Sequence, residues 1–295
     1  MSTQANVMTR APESPAVSSL RTFFWSVRRE IWENRGIYRV PLAVGVLIVL
    51  ATAINVIQMA PHSHMTELDP MARDSNFEAP FVFASLLLMF STMVVSVFYS
   101  IDALYGERRD RSVLFWKSMP VSDTTTVLAK LSIPMIVLPL VTFAVTLVAQ
   151  MLMLLLAVMR AGPGVAGHID LLGLWWGELV HMVAFHGIWW APFWGWFLLV
   201  SAWSRRAPLL AAALPPLVIA FAEKIAFGSQ HFADWLMFRF VGGMSGPQPS
   251  PMSKGMLMPM TPWQLITDIH LWTGFVMCAV CLAGAIYFRR QRGPA

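Results

Sequence analysis

The chain has 295 residues, of which 57% are hydrophobic and only 13% are charged. Soluble domains carry about 25% charged residues, so this composition excludes a fully soluble protein and favours a membrane protein in contact with the lipid bilayer. The formal net charge of +5 is then explained by Lys and Arg residues that flank membrane segments, and we expect no nucleic-acid partner.

The N-terminal region precedes the first apolar segment that is long enough to cross a bilayer. Residues 1–19 are polar and lack the apolar core of a secretory signal, so we expect a disordered tail there and a single domain over residues 20–295. Residues 20–36 show helical spacing of the apolar residues Leu20, Phe23, Phe24, Val27 and Ile31. Because charged residues occupy most other positions, this segment is predicted to be an amphipathic helix in the membrane interface.

Six apolar segments are each long enough to cross a bilayer, which takes about 20 residues. They cover residues 40–59, 81–104, 131–159, 175–201, 209–227 and 271–288. Backbone groups cannot stay unpaired in lipid, so the predicted fold class is an all-α membrane protein with six transmembrane helices. When these segments alternate in direction, 16 of the 21 Lys and Arg residues fall on one side of the membrane. The positive-inside rule makes that side cytoplasmic and puts both termini there.

The stretch from Asp102 to Lys130 separates the second and third segments and holds nine charges, five basic and four acidic. Within it, residues 113–116 (Val-Leu-Phe-Trp) form an apolar cluster on the predicted cytoplasmic side. Pro120 ends any helix there, and Ser122 or Asp123 is suited to cap the helix that follows. The cluster has two interpretations. It is either a short helix resting on lipid, or an aromatic anchor with a charged rim that inserts into a groove of a partner protein.

Several motifs in this stretch resemble the permease subunit of type-two ABC exporters. They are the acidic Asp102, the triplet Gly106-Glu107-Arg108, the triplet Pro120-Val121-Ser122, and Lys130 at the entry to the third segment. The layout is also similar, with an interfacial N-terminal helix, six spans, and a long outer segment between the fifth and sixth spans.

The resemblance implies a subunit of the bacterial cytoplasmic membrane that moves its substrate by alternating access. A second copy or a sister permease would pair with it, and cytoplasmic ATPase subunits would hold ATP and Mg²⁺, so that this chain needs no cofactor of its own. The segment between spans two and three would be the coupling helix that docks on the ATPase. The interface residues would be Glu107, Arg108, Arg109, Arg111, Val113, Leu114, Phe115, Trp116, Lys117 and Pro120.

The sequence contains no recognisable nucleotide-binding motif. The pattern GxxxxGK[ST], in which a glycine-rich loop cradles phosphates, does not occur. If ATP drives transport, the ATPase is therefore a separate polypeptide, and this chain is not expected to be an enzyme.

The fourth segment combines many tryptophans with ionisable residues. Glu178, His181, Phe185, Trp189 and Trp196 fall on one helical stripe. Intramembrane ionisable groups are costly and often functional, so one interpretation is a substrate-facing stripe. The other places Glu178 and His181 at the outer interface, where water solvates them. The abundance of Trp favours an apolar or amphipathic substrate.

A second function class rests on the predicted outer side. Thioether and imidazole groups that suit copper are offered by Met237, Met244, Met252, Met256, Met258 and Met260, with His231 and His270. A copper- or other metal-handling membrane protein, or a membrane enzyme, is therefore the alternative, although Met also serves as ordinary apolar filler. The outer loop with His62 and His64 and the pair Cys278 and Cys281 are interpreted as solvated and as apolar packing, respectively, and we predict no metal site.

Overall fold

The computed structural model describes residues 19–58, 70–112, 121–241 and 262–291, and all regular structure within these ranges is helical. The helices are α1 (Ser19–Glu33), α2 (Gly36–Gln58), α3 (Pro70–Asp102), α4 (Tyr105–Arg109), α5 (Asp123–Ser132), α6 (Leu138–Ala161), α7 (Leu171–Val180), α8 (Ala191–Trp203), α9 (Pro208–Phe227), α10 (His231–Val241), α11 (Pro262–Thr267) and α12 (Ile269–Gln291). A π-helical stretch (Ile133–Val137) joins α5 to α6, and a second one (His181–Trp189) follows α7. A short 3-10 helix (Pro163–His168) lies between α6 and α7.

Six helical stretches in the described part of the chain are long and apolar enough to cross a membrane. They are Gly36–Gln58, Phe77–Arg109, Asp123–Arg160, Leu171–Trp189, Pro208–Phe227 and Ile269–Gln291. The prediction of a helical membrane protein with six spans is confirmed to this extent. The predicted amphipathic helix at residues 20–36 forms α1 and the first residue of α2, with a short break between them.

The fourth predicted segment, residues 175–201, is not one continuous α-helix. The π-helical stretch after α7 ends at Trp189, and the backbone N–H of the next residue, Trp190, donates to the carbonyl of Phe185 five residues earlier at 3.0 Å. Pro192 follows in the first turn of α8. Because proline has no backbone N–H, it cannot continue the hydrogen-bond ladder of the preceding helix, but it is well suited to the start of a new one.

Contacts between helix ends show which elements share an end of the bundle. At one end, Lys130 of α5 and Arg289 near the C-terminal end of α12 both bind Glu107 of α4. At the other end, Arg160 of α6 donates from Nε to the carbonyl of Val56 in α2 at 3.3 Å. The N-terminal helix α1 belongs to the first end, because its Glu30 also binds Lys130. Helix α1 and the end of α12 therefore lie together, as an even number of spans requires.

Helices α8 and α12 approach each other closely. A Cβ atom added to Gly195 would lie 3.1 Å from both the Cα and the Sγ atoms of Cys278, so a larger residue would push the two helices apart. One turn further along α12, Cys281 is also buried, and both thiols are free. This packing agrees with the interpretation of the cysteine pair as small apolar residues. Helix α9, by contrast, has little contact with the rest of the bundle, since Ala212 is its only buried residue.

Substitution of Gly195 by Val should force α8 and α12 apart and lower the free energy of unfolding by about 1–3 kcal/mol, the usual cost of overpacking. Gly36→Val at the start of α2 is the matched control, because a Cβ atom there would meet nothing within 4 Å. Thermal unfolding of the two purified variants measures the difference. Equal melting temperatures would contradict the close approach.

Candidate functional site

Lys130 is the centre of a buried group of charges at the end of the bundle where α1 lies. Its Nζ atom contacts both carboxylate oxygens of Glu30 at 2.9 and 3.0 Å, and Oε1 of Glu107 at 3.1 Å. The side chains of Lys130, Glu30 and Glu107 are only 3%, 1% and 7% exposed, respectively. One ammonium group thus links α1, α4 and α5 in an environment that excludes water.

Two arginines complete this group. Arg289 donates from Nη1 to Oε2 of Glu107 at 2.5 Å and from Nε to Asp123 at 2.9 Å. Arg29 contacts Glu30 at 2.6 Å and Glu107 at 3.3 Å. We call Arg29, Glu30, Glu107, Asp123, Lys130 and Arg289 the ion cluster. It contains three cations and three carboxylates from four helices, so its charges balance.

The Glu30 carboxylate shows the electrostatic balance of the ion cluster. Burial by itself raises the pKa of this carboxyl, but the charges and hydrogen bonds of Lys130 and Arg29 outweigh burial and hold the pKa below its usual value. Tyr99 of α3 adds a further hydrogen bond, from its hydroxyl to Oε2 of Glu30 at 2.9 Å. Glu30 is therefore ionised in the folded protein.

Arg108 fastens the same region to α8. Its Nη2 atom donates to the carbonyl oxygens of Ser201 and Ser204 at 2.6 and 2.7 Å, and these carbonyls lie at the end of α8, where no helical partner remains. In return, the Ser201 hydroxyl accepts hydrogen bonds from the backbone N–H groups of Leu104 and Tyr105, both at 2.9 Å. The turn between α3 and α4 is therefore locked onto α8.

The residues predicted for the coupling interface fall into three groups. Glu107 and Arg108 are buried in the contacts just described. Arg109 and Arg111 are exposed, and Arg111 has a left-handed backbone with φ of 57° where α4 ends. The remaining six, Val113, Leu114, Phe115, Trp116, Lys117 and Pro120, lie outside the described residues. Ser122 is the cap of α5, as expected, with its hydroxyl accepting from the N–H of Thr125 at 3.0 Å.

The predicted stripe on the fourth segment is divided by the break at Trp190. His181 stacks on Phe185 with 5.3 Å between ring centroids, and Phe185 contacts Trp189 at 6.1 Å. Trp196 lies elsewhere, on α8, and its indole N–H donates to the carbonyl of Ala212 in α9 at 3.0 Å. The aromatic residues of this stripe are mostly packed inside the chain.

Glu178, the carboxyl residue of the same stripe, is completely buried. Its Oε2 atom accepts a hydrogen bond from the hydroxyl of Ser85 in α3 at 2.8 Å. The interpretation in which water solvates Glu178 at the outer interface does not fit this burial. Ser85 and Gln150, which accompany it, carry no signal in the sequence beyond being polar residues in apolar segments.

Arg239 of α10 is a further buried cation, and sequence reasoning missed it. It is 1% exposed, donates from Nη1 to the carbonyl of His270 at 2.5 Å, and lies over the ring of Trp189 at 4.6 Å. The Nη2 atom occupies the space where a Cβ atom of Gly274 would be. Helix α10, which follows the fifth span, is thus anchored against the π-helical stretch and α12.

Metal ligands are not grouped in the described ranges, which contain no cluster of three or more His, Cys, Asp or Glu side chains that could hold a metal ion. Among the residues of the metal-handling alternative, His231 is exposed and His270 contacts Phe238 at a centroid distance of 4.8 Å. Met252, Met256, Met258 and Met260 lie outside the described residues, as do His62 and His64.

No protein-family model, no curated protein and no solved structure matches this chain.

Substitution of Lys130 by Met should lower the free energy of unfolding by about 3–5 kcal/mol, because it leaves the buried carboxylates of Glu30 and Glu107 without their shared cation. Arg109→Met is the control, since the carboxylates that Arg109 contacts, Asp102 and Asp110, are exposed, and ion pairs in water contribute little to stability. Thermal unfolding in detergent measures both. Similar melting temperatures for the two variants would show that the ion cluster does not stabilise the fold.

Acid should destabilise the protein partly through Glu30. Its pKa is lower in the folded than in the unfolded protein, where a Glu carboxyl titrates near 4.3. Its stabilising contribution is therefore complete above about pH 4.3 and is lost as the pH falls through the folded-state pKa. Glu30→Gln should lose this component, so its melting temperature should depend less on pH in the acid range than that of the wild type. An unchanged pH dependence would contradict it.

Proposed function

We propose that this chain is the membrane-spanning permease subunit of an ATP-binding-cassette exporter and works with separate cytoplasmic ATPase subunits. The observation that carries the proposal is the ion cluster. Glu107 and Lys130 belong to the motifs that resemble the exporter family, and both are buried there. Arg108 of the same motif is fastened to α8.

The position of the ion cluster gives these motifs a mechanical role. Residues 113–120 lie between α4 and α5, and the cluster holds the two helices against each other, against α1 and against α12. A segment whose two ends are held in this way passes a displacement to the spans instead of absorbing it. This is what a coupling helix needs in order to convert ATP-driven movement of an ATPase into movement of the bundle.

The exposed residues next to the cluster fit the rim of a docking surface. Arg109 is 54% exposed at its side chain and Arg111 is also exposed, whereas the charges behind them are buried. In this proposal the aromatic pair Phe115 and Trp116 is the anchor that enters a groove of the ATPase. By the positive-inside rule this end of the bundle faces the cytoplasm, with both termini and with α1 in the membrane interface.

Pairing with a second permease copy or a sister permease is supported by the exposure of α9. Of the six candidate spans it is the least covered, with only 6% of its apolar window buried. Its exposed side chains are large and apolar, among them Leu214, Leu217 and Phe221. Such a face packs either against lipid or against another apolar helix. In an exporter whose pathway lies between two bundles, we propose that it packs against a helix of the second bundle.

An apolar or amphipathic substrate suits the surfaces that the spans present. A cleft of about 490 Å³ between α2 and α6 is lined by aliphatic side chains, including Val46, Leu50 and Val148. Acyl chains or a similar apolar group would fill such a cleft. Alternating access would move the substrate from the cytoplasmic to the outer side of the membrane.

The double substitution Phe115→Ala and Trp116→Ala should weaken binding of the ATPase subunit by about 2 kcal/mol or more, as expected when an interface anchor is truncated. That corresponds to at least roughly thirtyfold weaker binding and a matching loss of permease-stimulated ATP hydrolysis. The measurement uses the ATPase that co-purifies with the chain from its native membrane, reconstituted with the permease in lipid nanodiscs.

Trp272→Ala with Phe275→Ala is the matched control, because these two aromatic residues are exposed on α12 near its N-terminal end, far along the helix from Arg289. This control should leave ATPase binding unchanged. If the Phe115 and Trp116 double variant assembled with the ATPase and stimulated hydrolysis as the wild type does, the coupling role would be wrong.

A further inference from the structure

Glu178 is a buried carboxyl group that the proposed transport mechanism does not use. It projects from α7 between α3 and α6 and is 0% exposed. Its Oε2 atom contacts the Ser85 hydroxyl, while Oε1 has no hydrogen-bond partner although it is buried. An ionised carboxylate in such a position would have one of its two oxygens desolvated without compensation, which costs several kcal/mol.

The hydrogen bonds around Glu178 have directions that chemistry fixes. The indole N–H of Trp175 is a donor only, so the atom of Gln150 that it contacts at 2.7 Å must be the amide oxygen. The amide nitrogen of Gln150 then donates to the carbonyl of Phe81 at 3.1 Å and to the Ser85 hydroxyl at 2.9 Å. Ser85 passes its own hydrogen to Glu178. The whole chain of bonds thus delivers one hydrogen bond to the carboxyl group and no positive charge.

The second polar neighbour is the hydroxyl of Thr146 in α6, which also donates to the carbonyl of Thr142 at 3.1 Å. A hydroxyl has one hydrogen, so it cannot fully satisfy both the Thr142 carbonyl and a carboxylate. Because Oε1 is buried without a hydrogen-bond partner, two neutral hydroxyls are the groups that could stabilise an ionised Glu178.

The ionisable residues nearest to Glu178 make contacts of their own with other groups. His181 lies one turn further along the same helical path, with its ring stacked on Phe185, and His186 contacts the hydroxyl of Ser96 in α3 at 3.1 Å. On α3, Glu78 lies about two turns before Ser85, and its carboxylate accepts a hydrogen bond from the backbone N–H of Asp170. From α6 only Thr142, Thr146 and Gln150 are involved. Within the described ranges no Lys or Arg forms an ion pair with Glu178.

We propose that Glu178 is a proton-binding site, in which the buried carboxyl group holds a proton at neutral pH. The proton is the ligand of this site, and the site is closed as long as α3, α6 and α7 stay packed. Opening these contacts to water would stabilise the ionised form and release the proton. Proton uptake and release are therefore linked to the packing of these three helices, whatever substrate the protein moves.

The route of the proton follows from the residues on either side. Towards the ion cluster, α3 places Thr92 and Ser96 on the same face as Ser85, but the fully buried Leu88 interrupts the polar groups between Ser85 and Thr92. Towards the other end, only about two helical turns of α7 separate Glu178 from Leu171. Exchange should occur at the end of the bundle opposite to the ion cluster.

Infrared difference spectroscopy of the full chain in lipid nanodiscs tests this proposal directly. At neutral pH the wild type should show a carboxylic-acid C=O stretching band that is lost in Glu178→Gln and persists in Glu223→Gln. Glu223 is the control because it accepts three hydrogen bonds, from Ser229, His231 and Phe232, and lies outside the packed interior. A carboxylate band assigned to Glu178 at neutral pH, or displacement of the acid band by sodium ions, would overturn the proposal.

A second measurement needs no variant and covers the case in which Glu178→Gln fails to fold. Dicyclohexylcarbodiimide reacts with protonated carboxyls in apolar surroundings, so the wild type should give an adduct on the peptide that contains Glu178. The yield should fall as the pH is raised until the carboxyl ionises. An adduct whose yield does not fall as the pH is raised would contradict a bound proton. Neither result depends on an ATPase partner, so failure here is distinct from failure of the proposed function.

Discussion

The ammonium group of Lys130, shared between Glu30 and Glu107, is the contact on which the arrangement of this protein depends. It joins a helix that precedes the first span to the segments on both sides of the loop between the second and third spans. Moving these charges out of water costs several kcal/mol, and this cost is offset only because the charges pair with one another. Arg289 extends this pairing to α12, so that the end of α12 is joined to α1 and α4 through the same carboxylates.

The two ends of the bundle are built on different principles. At the ion cluster, full charges balance one another across four helices. Around Glu178, neutral donors and acceptors form a directed chain, and within the described residues no Lys or Arg forms an ion pair with its carboxyl group. The first arrangement suits a rigid joint that transmits force. The second suits a site whose proton occupancy changes when the helices separate.

Several sequence patterns predicted structure well because they act locally. Apolar length alone located the six spans, and Ser122 was recognised as a cap because a hydroxyl at that position satisfies a free N–H. The break at Trp190 was missed, although Pro192 offered a signal for it. The ion cluster also had a signal in the sequence, because Glu30 falls on the same apolar helical face as Val27. A carboxylate on that face is costly unless it has a buried partner.

The sequence by itself determined that this chain is a helical membrane protein, because an apolar solvent leaves the backbone no alternative. It also singled out the charged loop between the second and third spans. Only the tertiary structure decided which of those charges are exposed, as Arg109 is, and which are buried, as Lys130 is. Pairing between residues that lie up to 182 positions apart, such as Glu107 and Arg289, is a property of packing. No local pattern encodes it, because each partner is costly until the other is in place.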